Sequence, residues 1–402
     1  MADDTTVTDF EVVVVGAGPA GSAAALELAR RGRSVCLLER GPFPGSKNMY
    51  GGVIYGRILD TLVPRWWEQV PVQRWVTRRS TVVIDGHRSV SVEYRDSSWG
   101  EPPHNGFTAL RPDFDSWLAQ QAVSAGATLI TSTTAVGLLR GDDGRVVGVS
   151  TDRPDGELAA SVVVACDGVN SLLAREAGLY PRHESSNFTL GAKEVLALPR
   201  EVIEARFGLT GHEGADHEII GCTGPIAGGG FVYTNLDSVA VGVVLALSDL
   251  EHEKVRPEEL ITGMKQHPLI APLVAGGELM EYSAHLIPEG GYEMMPELGL
   301  PGMLVAGDAA AMCLAAGIWL EGVNYAIGAG AAAGRAAVRA LERGDLGSGM
   351  VEDYRHTLQG SFVLKDHRRL RRAPGLVLSD RVQRRYPALM CDIASDVFTV
   401  AN

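Results

Sequence analysis

The chain opens with a change of hydrophobic period. Val12 to Val15 is an unbroken β-branched run, short enough for a strand buried on both faces. Gly16-Ala17-Gly18-Pro19-Ala20-Gly21 follows at once and leads into the Ala- and Leu-rich helical spacing of Ser22 to Arg30, which Gly32 stops. Ser34 to Leu38 reads as a second strand and ends at Glu39. The predicted order is strand, turn, helix, strand. Further on, Ser80 to Tyr94 alternates in the manner of a strand, Asp113 to Ala125 has helical spacing, and Thr128 to Leu139 and Val146 to Ser150 read as strands. From Glu184 to about Leu286 the pattern shifts to strand-like runs, at Glu218 to Ile220, Gly230 to Thr234 and Val239 to Leu247, with one acidic helix from Arg256 to Gln266. That shift predicts an inserted sheet. Met303 to Ala306 is another buried strand. Val323 to Arg343, dense in Ala and Gly, is a long helix whose small residues allow close approach to a neighbour. No internal repeat or low-complexity linker interrupts the pattern.

Composition narrows the class. At 402 residues, 46% hydrophobic, 21% charged and 6% aromatic with 48 Gly, the chain is globular and α/β in flavour, long enough for two lobes. A net charge of −13 repels polyphosphate backbones, so DNA and RNA drop out as partners. Cys36, Cys166, Cys222, Cys313 and Cys391 include no CxxC pair, which argues against a zinc or iron–sulfur site and against a disulfide framework. Met1 to Asp9 is acidic and polar where a secretory signal is basic and then apolar, and the expected location is cytoplasmic. The longest apolar windows, such as Met303 to Leu320, carry Asp308 and several Gly, so no transmembrane segment is expected.

The opening turn carries the candidate chemistry. Its GxGxxG spacing sits after a strand and before a helix, with an acid at Glu39, 23 residues after Gly16. Gly16 permits the tight turn, Gly18 lets a pyrophosphate approach the backbone, and Gly21 lets helix and strand pack. The helix start adds unpaired N–H groups and the positive end of a dipole. Glu39 would accept from both ribose hydroxyls, which marks an adenosine without a 2′-phosphate. Only one such unit occurs, so one tightly held dinucleotide is expected and no second lobe for a nicotinamide cofactor. Gly302 to Gly322 reads GMLVAGDAAAMCLAAGIWLEG, a strand followed by Gly307-Asp308 and a small-residue segment leading into the long helix. A carboxylate at Asp308 can hold a ribityl hydroxyl, and the helix start at Gly322-Val323-Asn324 can stabilise negative charge on the pyrimidine edge of a reduced flavin. Those roles fit FAD.

These stretches resemble a known family. VVVVGAGPAGSAAA, PGSKNMYGG from Pro44 to Gly52, LRPDFDSWLAQQA, VVVACDGVNS, HLIPEGGYEMMP, VAGDAA, EGVNYAIGAG, SFVLKDHRRLRRAP and YPALMCDIASDVFTV are similar to FAD-dependent oxidoreductases of the geranylgeranyl reductase type. More closely, they resemble the FixC-like relatives of electron-transfer-flavoprotein:quinone oxidoreductase, and the similarity runs from Phe10 to Val400. The resemblance implies FAD contacts at Gly16, Gly18, Ala20, Gly21, Glu39, Arg40, Lys47, Asn48, Arg111, Val136, Asp167, Gly168, Asp308, Val323 and Asn324. It implies that Arg111 reaches the pyrophosphate or ribityl region and that Val136 contacts adenine through its main chain. From the residues alone, Arg111 reads equally as an ordinary salt-bridge partner, and Asp167-Gly168 as a simple turn. Full-length quinone oxidoreductases of this kind carry a cluster-binding ferredoxin segment with four cysteines. None is in these residues, so electrons are expected to leave the flavin directly or through a separate ferredoxin. FixC-type sequences usually place a basic residue ahead of Glu-Gly. Here the run is Gly317-Ile318-Trp319-Leu320-Glu321-Gly322, and Trp319 and Leu320 would make that flavin face more apolar.

Three weaker features remain. Leu62 to Val76 holds three of the six tryptophans, either as a roof over the substrate pocket or as a membrane-surface or lipid-substrate patch. Lys365 to Arg385 carries eight basic residues and two acids, either a docking strip for an acidic electron carrier or a solvated helix face. His285, next to the Gly290-Gly291 turn, reads first as a structural histidine and otherwise as a neighbour of the flavin ring.

The expected fold class is α/β, a Rossmann-like FAD-binding domain of the glutathione-reductase/hydroxybenzoate-hydroxylase type with an inserted mainly-β substrate lobe and a short helical C-terminus. The expected division is 1–55, 104–185 and 290–350 for the FAD-binding domain, 56–103 and 186–289 for the substrate lobe, and 351–402 for the C-terminal section. The expected function is an FAD-dependent oxidoreductase that moves a hydride or two electrons between a bound small-molecule substrate or quinone-like acceptor and a carrier, a ferredoxin or an electron-transfer flavoprotein. The alternatives are a biosynthetic flavin monooxygenase or reductase, and a non-catalytic FAD-binding subunit of an electron-transfer complex. No metal is assigned, and peripheral membrane contact is left open.

Overall fold

The computed structural model describes residues 8–47, 52–180, 184–315 and 320–400. In chain order its main elements are β1 (Phe10–Val15), α1 (Pro19–Ala29), β2 (Val35–Leu38), β3 (Gly52–Tyr55), β4 (Arg74–Asp85), β5 (Arg88–Arg95) and β6 (Gly106–Ala109). Helix α2 (Arg111–Ser124) and strands β7 (Thr128–Ile130), β8 (Ala135–Arg140), β9 (Val146–Thr151) and β10 (Glu157–Ala165) follow. Strands β11 (Phe188–Ala197), β12 (Glu213–Ile220), β13 (Gly228–Thr234), β14 (Ser238–Ala246), β15 (Glu278–Pro288), β16 (Gly299–Leu300) and β17 (Met303–Val305) complete the sheets.

Two sheets organise the molecule. The first runs β16-β17-β10-β1-β2-β7, with β8 and β9 extending β10 as an antiparallel flap. The strands β17, β10, β1, β2 and β7 pair parallel, and Val12, Val13 and Val14 have no exposed surface. A strand covered on both faces needs an unbroken apolar run, which is what Val12 to Val15 supplies. The second sheet runs β15-β11-β14-β13-β12-β4-β6-β3, with β5 on the outer side of β4. This is the mixed α/β architecture expected, with helices collected at the C-terminal end, among them Ser348–Gly360, Phe362–Arg369 and Tyr386–Phe398.

Glycine decides how the first sheet is covered. Helix α1 and the long helix Val323–Arg343 cross so closely that a Cβ on Gly330 would run into the carbonyl of Ala20. One on Gly334 would stand 2.7 Å from the carbonyl oxygen of Ala24. Backbone-to-backbone packing at this spacing excludes any larger side chain. It brings the N-termini of both helices to the same edge of the sheet.

Two predicted strands are interrupted. The run Ser80 to Tyr94 folds back at Gly86, φ +61°, so β4 and β5 form a hairpin with Asp85 opposite Arg88. The run Thr128 to Leu139 breaks after Ile130, where Ser132 takes a left-handed conformation at φ +52° and its N–H donates to the Gly41 carbonyl. Arg153 donates to the Ser132 carbonyl at 2.6 Å and holds the break. Alternation alone does not reveal such turns, because the polar residues that make them also suit an exposed strand position.

Candidate functional site

A single long cleft runs from the turn after β1 to one face of the second sheet. At its first end Gly16 adopts φ +97°, and a Cβ there would run into the Cys166 carbonyl. Gly18 differs: a Cβ on it would meet nothing within 4 Å, so the backbone lies open to the cleft. Helix α1 starts at Pro19 with no side-chain cap at Gly18, which leaves its first turn facing the same space. Gly21 stands behind the wall, where a Cβ would run into the Gly16 carbonyl. Ala20 lines the cleft, and so do Arg40 and Lys47. The Glu39 carboxylate accepts the Ala17 N–H at 3.2 Å and the Gly41 N–H at 2.7 Å. It therefore ties the turn together and keeps lone pairs for a further donor. Arg111 does both things its sequence allowed. It makes a bidentate pair with Asp115, both contacts 2.8 Å, and it lines the cleft.

The strand break described above sets Thr133, Thr134 and Ala135 into the wall. Val136 is not among the lining residues, and its side chain is 57% exposed. Asp167 and Gly168 line the middle of the cleft. One oxygen of Asp167 accepts the Leu173 N–H at 3.1 Å, while Oδ1 is buried with no hydrogen-bond partner. Burial pushes this carboxyl above its usual range. An orphaned acceptor on a cleft wall fits a missing hydroxyl donor. Asp308 also lines the cleft; burial raises its carboxyl, opposed by the charges of His285 and Arg111. His285 lines the cleft too, and burial pulls its imidazole below the usual range against the opposing charge of Asp308. Gly307 packs behind, a Cβ there standing 2.8 Å from the Ala20 Cβ. Gly322 and Val323 line the far end at the start of the long helix, which has no side-chain cap. The Asn324 amide instead donates to Glu321 Oε2 at 2.9 Å. Leu320 faces the cleft. Asn48 and the stretch Gly317 to Trp319 lie outside the described residues.

The opposite wall held residues that sequence reasoning passed over. Tyr55 on β3, Arg79 on β4 and Asp216 and Glu218 on β12 all line it, joined through the Arg79 guanidinium. Phe231 and Tyr233 on β13 stack beside them with ring centres 5.7 Å apart. The one sequence signal was two acids two positions apart in a strand, which puts both on one face. Glu289, also on the wall, accepts from Thr189 at 2.7 Å, and burial pushes it up to about 7.

The tryptophan run is neither pocket roof nor surface patch. Trp66 is fully buried and meets Trp67, Trp75 and Phe107 edge-on or tilted, while Trp75 stacks on His104 at 3.5 Å. None of these rings lines the cleft. Apolar composition alone cannot separate an inner cluster from an outer one. Among the described residues no helix is long and apolar enough to cross a membrane.

A cleft that joins an uncapped glycine turn, an acidic strand end and a second helix start has the form of a dinucleotide site in an FAD-dependent enzyme. The sequence profile of a family described as an FAD binding domain matches residues 9–213, and the cofactor of this chain is FAD. Over 401 residues the chain is 38% identical to the probable electron transfer flavoprotein-quinone oxidoreductase YdiS of Escherichia coli K12, covering all of this chain and 92% of that one. It is 40% identical over 392 residues to the protein FixC of Salmonella typhi, covering 97% and 91%. The solved structure of a geranylgeranyl bacteriochlorophyll reductase-like protein from Thermoplasma acidophilum superposes with a TM-score of 0.77 at 22% identity, covering 96% and 91%, and shares the fold. The chain belongs to the FixC-like branch of the FAD-dependent oxidoreductases.

Glu289 gives a stability test. Its carboxyl rises from the usual 4.5 to about 7 in the folded chain. The folded state therefore holds a proton that the unfolded state releases, so stability falls as pH rises from 4.5 to about 7 and stays lower above. Glu289→Gln removes that loss, and the variant is expected to gain about 3 kcal/mol over the native chain at pH 8 and little at pH 4. Equilibrium unfolding at the two pH values measures this; a pH-independent difference contradicts it.

Proposed function

We propose that FAD lies stretched along the cleft and that the second sheet holds a small organic acceptor or donor against its ring. The observation that carries this reading is the continuity of the cleft from the β1 turn to the face of the second sheet. In this reading Glu39 takes the adenosine ribose, and Gly18 with the start of α1 takes the pyrophosphate. Arg40, Lys47 and Arg111 offset its charge. Thr133 to Ala135 border the adenine, and Asp167 and Asp308 accept from hydroxyls of the ribityl chain. Gly322 and Val323 bring the positive end of the long helix to the pyrimidine edge of the ring, where negative charge accumulates on reduction. FAD supplies the two-electron chemistry; the chain supplies position, burial and charge.

The relatives named for electron transfer flavoprotein and quinone support a chain that takes electrons from a protein carrier and passes them to a quinone-like acceptor. Tested anaerobically, the bound FAD is expected to be bleached by a reduced electron-transfer flavoprotein and restored by a short-chain benzoquinone. NADH and NADPH are expected to leave it oxidised. Rapid bleaching by either nicotinamide would instead favour a biosynthetic monooxygenase or reductase.

The C-terminal section supports peripheral contact with an anionic membrane surface. Helix Tyr386–Phe398 exposes Tyr386, Leu389, Ile393 and Val397, which fall on one face at helical spacing. The basic strip Lys365 to Arg385 adjoins it, and Val377 and Leu378 from the same section line the cleft. An exposed apolar stripe beside basic residues is the pattern of an interfacial helix. The protein is expected to float with vesicles containing phosphatidylglycerol, to be released by high salt, and to lose most of this binding in an Ile393→Glu, Val397→Glu variant. Equal binding to neutral vesicles and by the variant contradicts it.

A further inference from the structure

This inference rests on the reading of the cleft as a shared space for flavin and acceptor. The wall built by the second sheet holds charges that no proposed cofactor contact uses. Asp216 and Glu218 leave the same face of β12 and both line the cleft, with 4% and 8% of their surface exposed. The parallel register sets Asp216 beside Arg79 on β4. Arg79 Nη2 donates to Asp216 at 3.2 Å and to Glu218, while Nη1 donates to the Tyr55 hydroxyl. The guanidinium carbon also sits 5.6 Å from the centre of the Tyr55 ring.

Two carboxyls on one guanidinium cannot both stay ionised at low cost in so dry a place. Burial and the Asp216 charge push the Glu218 carboxyl up against the pull of Arg79, so the proton sits on Glu218. With one proton on the pair, the group of Arg79, Asp216 and Glu218 is electrically neutral. Nothing in it calls for an anionic substrate. The other lining cation of the central cleft, Arg111, is engaged by Asp115.

The neighbouring strand supplies the surface on which a flat molecule can rest. Across the antiparallel pair Phe231 stands opposite Glu218 and Tyr233 opposite Asp216. Their rings are 18° from parallel and both line the cleft. Residues paired in this way have Cβ atoms about 5 Å apart, so a ring lying along Phe231 and Tyr233 has its edge within reach of the Glu218 carboxyl.

We infer that Glu218 is a catalytic acid that donates the proton needed when an uncharged, planar, carbonyl-bearing acceptor is reduced in this cleft. The acceptor gains two electrons and one proton as a hydride equivalent from the reduced flavin, which is left oxidised. Its second proton comes from the Glu218 carboxyl: the O–H bond at Glu218 breaks, and one forms at an acceptor oxygen. Glu218 is left as a carboxylate beside Arg79 and regains its proton from water. Asp216 and Arg79 are positioning residues that set where the proton rests; Tyr55, with Glu321 acting on it by charge, faces the same group.

The test is Glu218→Gln, which keeps the size and an oxygen to accept from Arg79. Reoxidation of the reduced holoprotein by a water-soluble benzoquinone is expected to slow about 100- to 1,000-fold, with FAD content and absorption spectrum retained. In the native chain that rate is expected to fall as pH rises and Glu218 ionises; in the Gln variant this limb disappears. Glu218→Asp is expected to restore part of the rate together with the pH limb. As a readout independent of turnover, the infrared difference spectrum between the resting native chain and the Gln variant is expected to show the loss of one protonated-carboxyl component, the bands of the other buried acids cancelling. A Gln variant that is as fast as the native chain, that keeps the same pH limb, or whose difference spectrum shows no lost protonated-carboxyl component overturns the inference alone. A native chain that reduces no quinone overturns the acceptor reading and this inference with it.

Discussion

The architecture depends on one packing constraint, the direct contact of two helix backbones where glycine removes the side chain. At Gly330 and Gly334 the long helix lies against the Ala20 and Ala24 turns of α1 with no room for a Cβ. That contact fixes both helices on the same parallel strands and aims both N-termini at one cleft. In the proposed placement the pyrophosphate uses the first and the reduced pyrimidine ring the second, so the spacing of the two termini would set where a single elongated cofactor lies. Gly16 and Gly21 extend the same logic to the strand, since each stands where a Cβ would meet a carbonyl of the neighbouring backbone.

Charge is distributed unevenly along the cleft. Near the glycine turn, Arg40, Lys47 and Arg111 gather where phosphate charge is expected. Further along, buried acids outnumber the cations: Asp167, Asp308, Glu289 and Glu218 are each raised by burial, and Arg79 is held between Asp216 and Glu218. A cleft of this kind holds an anionic tail at one end and keeps protons at the other, which suits a cofactor whose phosphates stay charged while its ring exchanges electrons with an uncharged partner.

Local stretches of sequence and distant ones were readable to different degrees. The strand, turn and helix around Gly16 to Gly21 could be inferred because all the parts are consecutive and each glycine has a separate steric reason. Asp308 and Val323 followed from the same kind of reasoning, since a strand, an acid and a helix start lie in one short stretch. Tyr55, Arg79 and Glu218 could not be joined in this way. They come from β3, β4 and β12, and only strand register places them together. Val136 shows how fine the margin is: a break at Ser132 turns Ala135 to the wall and Val136 to solvent. The tryptophans near Leu62 were ambiguous for a different reason, because edge-on ring packing is a property of three dimensions that composition does not carry.

The central claim is that one extended FAD occupies the cleft with its ring at the second sheet. Diffraction from crystals of the yellow holoprotein tests it most directly. The account requires electron density for the adenosine ribose at Glu39, the pyrophosphate over Gly18 and the ring between Val323 and the β12–β13 face. Density showing the ring at any other surface, or the adenosine away from Glu39, would contradict it.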